Sequence, residues 1–171
     1  MSVCGDLLLE FHEELKTTRR VLERIPVDKL TWKPHKKSWT LGQLAMHTAS
    51  VPGAISTITG YDSFDVLKGN FTPPSPNNTD EIRSALDKSA HDVEKALKGT
   101  TEEQAYAQWR LTRGDTVILA IPRVMAWRSL MLNHWYHHRG QLSVYLRMIG
   151  VPIPSIYGPS GDENPFASHA A

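Results

Sequence analysis

Three histidines lie within five residues of the segment NHWYHHRGQL, which spans residues 133–142. Histidine is a mediocre helix former and an awkward core residue, so such a cluster in a helical pattern indicates a chemical role. His134 and His138 are four residues apart, and an i, i+4 pair stacks on one side of a helix. A helix commonly supplies two imidazoles to one metal ion in this way. The segment therefore predicts that His134 and His138 are metal ligands.

The apolar side of the same helix indicates which of the three rings point inward. In a projection at about 100° per residue, Trp127 and Leu142 belong to the apolar face. His138 falls inside that face and His134 on its edge, whereas His137 lies roughly 110° from the face centre. His137 is therefore expected on a flank of the helix, outside the ligand set.

Two ligands rarely suffice to hold a metal ion, so a third is expected from another helix. His47, in the segment LGQLAMHTASV, lies three residues after Leu44 and four before Val51, and shares their inward face. A single inward histidine is more often a hydrogen-bonded core residue, but its combination with a helical pair favours a metal site. The predicted site is His47, His134 and His138. The remaining histidines lack such partners and are expected at the surface or in loops: His12, His35, His91 and His169.

Composition excludes several classes of function. Lysine plus arginine is 19 against 18 for aspartate plus glutamate, which gives no electrostatic reason to expect a nucleic acid or an anionic membrane as partner. Cys4 is the single cysteine, so no disulfide can form within the chain and a reducing compartment fits best. No secretion signal or bilayer-spanning apolar run is visible. We expect a soluble cytoplasmic protein, and 171 residues suit one domain over residues 1–171.

Helical periodicity places the two elements that precede the middle of the chain. Apolar residues recur at helical spacing from about Asp6 to Arg24, which predicts the first helix. Thr40 followed by Gln43 forms a capping-box pattern and predicts the start of the second helix, which continues to Ile58. Pro52 cannot donate a backbone hydrogen bond, so a bend is expected there.

The rest of the chain predicts two further helices and irregular connections. Residues 61–77 are rich in turn formers and predict a long crossover. The third helix is expected from Asn78 or Thr79 to a stop at Gly99, and the fourth from Pro122 to Ile149. Residues 100–120 predict a short hairpin around RGD, and a tail rich in proline and glycine follows. The predicted fold class is all-α, a four-helix bundle with long crossover loops and an irregular C-terminal tail.

Other catalytic patterns are absent from the sequence. No Glu-x-x-His occurs, which leaves a carboxylate-rich di-iron bundle unsupported. HEELK at His12 lacks the second histidine of a zinc-protease helix, and GPSGD around Ser160 does not match a nucleophile elbow. No glycine-rich phosphate loop is found. The three-histidine site is therefore the main candidate.

Two motifs give the chain a recognisable family pattern. The first motif is the segment WTLGQLAMH, which ends in His47, and the second is HWYHHRGQL on the long last helix. Together they resemble the DinB/YfiT-like family of metal-binding four-helix bundles. The resemblance runs from the first helix to the tail VPIPSIYGPSGDE. It implies that the family's three metal ligands correspond to His47, His134 and His138, and that His137 is not a usual ligand. Gly140, costly inside a helix, is expected to let a neighbouring segment approach closely.

The resemblance also implies a range of activities. Characterised relatives include thiol S-transferases and isomerases that use a low-molecular-weight thiol. Three neutral imidazoles leave a divalent ion, zinc or nickel by preference, with an open position for a water or a thiolate. We expect a metalloenzyme that acts on a small-molecule substrate, with thiol transfer favoured over metal-dependent hydrolysis.

Two further expectations concern a non-catalytic alternative and assembly. In a non-catalytic metal-binding stress-response protein, the metal would only join helices, with Asp162 or Glu163 of the tail as candidate fourth ligand. The family resemblance also implies a homodimer, for which an apolar flank around Trp109, Trp135 and Val144 is the expected surface.

Overall fold

Helices make up most of the chain in the computed structural model, which describes residues 2–167. The α-helices within these residues are α1 Val3–Leu22, α2 Leu41–Ser50, α3 Ile55–Gly60, α4 Thr79–Lys98, α5 Glu102–Tyr106, α6 Arg123–Ala126 and α7 His134–Met148. The strands are β1 Ser63–Asp65, β2 Gln108–Arg113 and β3 Thr116–Pro122. Among the predicted surface histidines, His169 lies outside the described residues.

Four long helices form the bundle that surrounds the core. Helix α1 packs against α4 and α7, and α2 packs against the same two helices, so α1 and α2 occupy opposite corners. Their inward side chains are almost entirely removed from water, including Leu7, Phe11, Leu44, Leu86 and Leu142. Burial of such apolar surface is the main force that holds the helices together. The predicted bundle is therefore present as the body of the fold.

The helix starts follow the capping patterns in the sequence. Thr40 and Gln43 form both hydrogen bonds of a capping box, and Asn78 accepts a hydrogen bond from the backbone of Glu81. Helix α2 ends at Ser50 and continues as a 3-10 turn, Val51–Ala54, before α3 begins. Pro52 lies in that turn, where its lack of a backbone donor favours the break that its position predicted.

The predicted all-α class is confirmed only in part, because the fold is mostly helical but a small sheet lies beside the helices. The hairpin predicted in residues 100–120 is formed by β2 and β3, which pair antiparallel. Gly114 in its two-residue loop has a φ of +57°, which favours glycine. Strand β1 adds to β2 in parallel, giving the order β1-β2-β3. Three residues of strand inside a turn-rich crossover carry no periodic signal, which is why β1 was not predicted.

The last helix is continuous over residues 123–148 but changes its winding. A π-helical segment, Trp127–Asn133, joins α6 to α7 and ends directly before His134. Wide π-helical turns often occur at functional sites. The buried side chains of α7 are Trp135, His138, Arg139, Leu142 and Leu146. At about 100° per residue they centre roughly 95° from His134, so the true inward face is rotated from the predicted one toward Arg139.

The surface expected to form a dimer flank is only partly available. Trp109 is 1% exposed and Trp135 is 0% exposed, so neither can form the expected dimer flank, whereas Val144 is 57% exposed. The homodimer itself stays a prediction. Cys4 is buried within α1. None of the helices in residues 2–167 is both long enough and apolar enough to cross a membrane.

Gly140 does not mark a close approach between segments. A Cβ built there would meet no atom within 4 Å, and the residue is exposed. Gly42, in contrast, has the carbonyl oxygen of Leu30 at 3.0 Å and the Pro76 ring at 3.1 Å from such a Cβ. Glycine is therefore needed for packing in α2 and not in α7.

We expect Gly140→Ala to raise the free energy of unfolding by about 0.5–1 kcal/mol, because glycine inside a helix costs that much backbone entropy relative to alanine. Gly42→Ala should lower it by about 1–3 kcal/mol, the usual range for overpacking. Urea denaturation of both variants measures the difference. Equal effects of the two substitutions would contradict the packing described for α2 and α7.

Candidate metal centre

Three imidazole rings converge where α2 meets the first turn of α7. The Nε2 atoms of His47 and His134 are 3.4 Å apart, and those of His134 and His138 are 2.7 Å apart. One nitrogen from each ring lies within 4.8 Å of the others. His138 is buried, and His134 remains partly exposed at the edge of the helix. The structure thus brings together the three histidines that the sequence predicted.

His137 lies apart from this cluster. Its side chain is exposed, and its ring contacts that of His138 edge-on at a centroid distance of 4.9 Å. The cluster of possible metal ligands among the described residues consists of His47, His134 and His138. His137 therefore has the flanking position expected from helical geometry.

Hydrogen bonds on the far side of two rings leave the converging nitrogens without protons. Nδ1 of His138 lies 2.8 Å from Oε1 of Gln141 and donates a hydrogen bond to it. In the neutral ring, Nε2 of His138 is then unprotonated and presents a lone pair. The backbone of Leu130, one turn earlier, is a hydrogen-bond partner of the His134 ring. Partners of this kind fix the tautomer and orientation of metal-binding histidines. Gln141 was not singled out in the sequence, although its i+3 spacing from His138 is a usable signal.

The site also keeps its imidazoles neutral at physiological pH. Burial, reinforced by the neighbouring His138 and His134, lowers the pKa of His47 from 6.5 to about 4. Burial is also the main cause that lowers the pKa of His138 to about 4, against the opposing effect of Gln141. The pKa of His134 is lowered for the same primary reason. Neutral imidazole is the form that binds a metal ion.

The donor set fits a divalent ion. At Zn–N distances of about 2.0–2.1 Å, tetrahedral geometry places two ligand nitrogens about 3.3 Å apart. The His47–His134 separation is 3.4 Å, and the 2.7 Å between His134 and His138 requires only a small opening of the pair. Converging lone pairs repel one another unless a cation lies between them. Three neutral imidazoles would suit zinc, nickel, copper or iron.

Trp39 covers one side of the three rings. Its ring packs edge-on against His47 at 4.9 Å and lies 5.8 Å from the ring of His138. The hydroxyl of Tyr145 donates to the backbone carbonyl of Trp39 at 3.5 Å, which ties the loop before α2 to α7. The indole thereby removes water from two of the histidines and helps to lower their pKa values.

A cavity of about 360 Å³ opens beside His47 and His134. Its walls come from α2, the 3-10 turn, α3, the π-helical segment, β2 and the loop around β1. Trp109 and Leu111 of β2 form one wall, and Phe64 and Phe71 form the side nearest β1. Trp109 therefore belongs to this cavity, not to a dimer flank.

The tail carboxylates proposed as a fourth ligand are engaged elsewhere. Asp162 forms an ion pair with Arg147 and accepts a hydrogen bond from the backbone of Ile153. Glu163 pairs with Arg20 of α1 and with Arg24, which follows the end of that helix. These contacts hold the tail against α1 and α7, and the arginine and backbone donors lower the pKa values of both carboxyl groups. The tail thus braces the helices, and within residues 2–167 it supplies no carboxylate to the histidine cluster.

Arg139 is the functional neighbour that sequence reasoning missed. Its side chain is 1% exposed and forms an ion pair of 2.6 Å with Glu14 of α1. It also donates to Thr18 at 3.1 Å and lies over the rings of Tyr136 and Tyr157. An arginine next to a polar flank looks exposed in the sequence, and only its distant partner Glu14 accounts for its burial.

The depressed histidine pKa values make the stability of the metal-free protein depend on pH. An unfolded histidine titrates near its ordinary value of about 6.5, whereas His47 and His138 in the folded chain titrate at about 4. Between these values the unfolded chain binds more protons, so the folded state is favoured above pH 6.5 and loses stability as pH falls toward 4.

We therefore expect the free energy of unfolding in the presence of a chelator to fall from pH 7 to pH 5. His47→Ala should flatten this slope because it removes one of the groups responsible. Urea denaturation at several pH values gives the slopes of the wild type and the variant. The same slope in both proteins would contradict the assignment.

Comparisons with known proteins show which sequences and folds the chain resembles. The protein YrdA of Bacillus subtilis (strain 168) is 28% identical over 153 residues, covering 88% of this chain and 85% of its own. A DinB-like protein of Bacillus cereus ATCC 10987 has a solved structure with a TM-score of 0.69 and 23% identity, covering 88% of this chain and 95% of that one.

A more distant fold neighbour is an enzyme. The mycothiol-dependent maleylpyruvate isomerase has a TM-score of 0.53 and 12% identity, covering 91% of this chain and 68% of that one. At this identity the likeness concerns the fold alone. The DinB family matches residues 1–165, nearly the whole chain. The chain belongs to the DinB family.

Proposed function

We propose that this protein is a metal-dependent enzyme that joins a low-molecular-weight thiol, through its sulfur atom, to a small electrophile. The observation that carries the proposal is the placement of three neutral imidazoles beside a mainly apolar cavity. The thiol dependence named for the distant isomerase neighbour adds support from the fold. Zinc or nickel is the proposed ion.

His47, His134 and His138 would hold the ion through their Nε2 atoms. A divalent ion bound there supplies a Lewis acid that keeps a thiol deprotonated at neutral pH. Gln141 orients His138 through its Nδ1 hydrogen bond, and Trp39 excludes water from two of the rings. The cavity receives the electrophile next to the same histidines.

The proposed reaction is a nucleophilic displacement or ring opening. The thiol loses its proton to solvent, and its sulfur lone pair forms a bond to an electrophilic carbon. With a chlorinated substrate the carbon–chlorine bond breaks and chloride leaves with the electron pair. With an epoxide the carbon–oxygen bond breaks, and the oxygen takes up one proton from solvent.

The walls of the cavity favour thiol transfer over hydrolysis. No aspartate, glutamate, lysine or arginine is found among the lining residues of this cavity within the described chain. Hydrolysis of an ester or amide usually uses a general acid or base to move protons at the reacting atoms. A thiolate needs no such residue once it has formed, because its sulfur is the nucleophile.

We expect His47→Ala, His134→Ala and His138→Ala each to lose most of the bound metal, because a two-ligand remnant binds weakly. Gln141→Ala should weaken metal binding by about tenfold to a hundredfold, the usual effect of removing a hydrogen-bond partner of a ligand. Elemental analysis and competition with a chelator measure these changes.

His137→Ala is the matched control, since its exposed ring lies outside the cluster. This variant should retain metal at the wild-type level. A His137→Ala protein as depleted as His138→Ala, or a wild type without metal after chelator-free purification, would overturn the ligand set.

Metal-loaded protein should consume thiol in the presence of chlorinated or epoxide electrophiles, and His138→Ala should lose this activity. Free thiol and the thioether product are measured together by chromatography. Cleavage of esters or amides without any thiol transfer would instead support a hydrolase. If the absorption spectrum of the cobalt(II)-substituted protein does not change when thiol is added, the coordination sphere of the ion is closed. That result would support the non-catalytic alternative.

A further inference from the structure

The cavity beside His47 and His134 is selective by its chemistry. Its described lining contains no charged side chain, and its hydroxyl groups are those of Ser50 and Thr57. The other walls are aliphatic or aromatic, including Ile58, Phe64, Leu111 and Leu130. A charged group placed there would lose its hydration without gaining an ion pair that compensates for the loss.

The size of the cavity limits its occupant. A closed apolar cavity of about 150 Å³ is large enough for benzene, and this cavity measures about 360 Å³. It therefore accommodates a group of about one or two rings. Phe64 is half-buried and Phe71 is exposed, so these two lining residues offer aromatic surface against which such a group can pack.

The segment after β1 gives the cavity an exposed aromatic edge. Phe71 is 62% exposed although its ring lies edge-on to that of Phe64, with 6.4 Å between the centroids. Gly69 allows this arrangement, because a Cβ there would lie 2.6 Å from the Phe71 ring and 3.0 Å from the Phe64 ring. An exposed phenylalanine at a cavity mouth can bury further surface when a ligand binds.

We propose that the electrophile handled by this site carries an uncharged aromatic or branched apolar group, which occupies the cavity beside Phe64 and Phe71, and that carboxylated electrophiles are disfavoured. This inference rests on the proposed function for the reaction but not for the binding preference. Phe71 and the cavity wall are its specificity-determining residues.

The binding preference is tested with 4-(trifluoromethyl)benzyl alcohol and 4-(trifluoromethyl)benzoate, followed by fluorine NMR at pH 7.5. The full-length protein is used as purified and again after metal removal, so that coordination of the carboxylate is separated from binding in the cavity. In the metal-free protein, the alcohol should bind at least about tenfold more tightly than the benzoate, because the unpaired charge is costly to bury. Equal or tighter binding of benzoate would overturn the proposal.

Two pairs of variants locate the binding site. Phe71→Ala should weaken binding of the alcohol about threefold to tenfold, whereas Phe166→Ala, an equally exposed phenylalanine in the tail, should leave it unchanged. Ala54→Trp fills the cavity at an exposed position and should abolish binding, whereas Ala120→Trp on exposed β3 should not. If both cavity variants bind like their controls, the proposed location is wrong.

Turnover provides the final comparison. With any active thiol, 4-methylbenzyl chloride should give at least about tenfold higher kcat/KM than 4-(chloromethyl)benzoate, and Phe71→Ala should narrow this ratio. If the alcohol binds as expected while no electrophile is turned over, the proposed reaction fails and the cavity assignment holds. If turnover occurs but the carboxylated chloride reacts faster, the reaction holds and the specificity proposal fails.

Discussion

The ion pair between Arg139 and Glu14 is the constraint on which the geometry of the histidine cluster depends. A guanidinium that is 1% exposed would be strongly unfavourable without its carboxylate and hydroxyl partners. With them, the charged face of α7 points toward α1, and the helix cannot rotate without separating a buried charge from its partner. This fixed orientation of α7 leaves His138 buried and His134 at the edge of the helix, so both rings face α2 and lie next to His47.

The contacts of the tail extend the same constraint. Tyr157 donates to Glu14 and receives a hydrogen bond from Arg139, so the tail completes the surroundings of the buried pair. Asp162 and Glu163 then bind arginines of α7 and α1. Carboxylates that sequence inspection would offer to a metal are thus used to hold helices. The resulting centre is a set of neutral nitrogen donors, open on the side of an apolar cavity.

The small sheet contributes apolar walls to the site and adds no charged side chain to the cavity lining. Strands β1 and β2 carry Phe64, Trp109 and Leu111 to the cavity beside the histidines. A four-helix bundle alone would expose this side of α2 and the π-helical segment. The added strands create a mainly apolar space next to the three histidines, in which electrostatic interactions are stronger than in bulk water.

Much of the fold and the cluster could be predicted because those features are encoded locally. Helical spacing, the capping box at Thr40 and the i, i+4 spacing of His134 and His138 depend on nearby residues only. The inward side of His47 followed from its own helix for the same reason. These local rules were sufficient to name three histidines from two distant parts of the chain as one site.

Tertiary structure alone decided how α7 is oriented about its axis and which segments surround the site. The partner that buries Arg139 is 125 residues away in the sequence, so no local pattern could reveal that its charge would face inward. Strand β1 exists because β2 offers it a pairing edge, and its three residues carry no strand signal of their own. The sequence by itself determined the three histidines and the helices that carry them, since periodicity is local. The open side of the cluster and its apolar cavity were decided by contacts between distant segments.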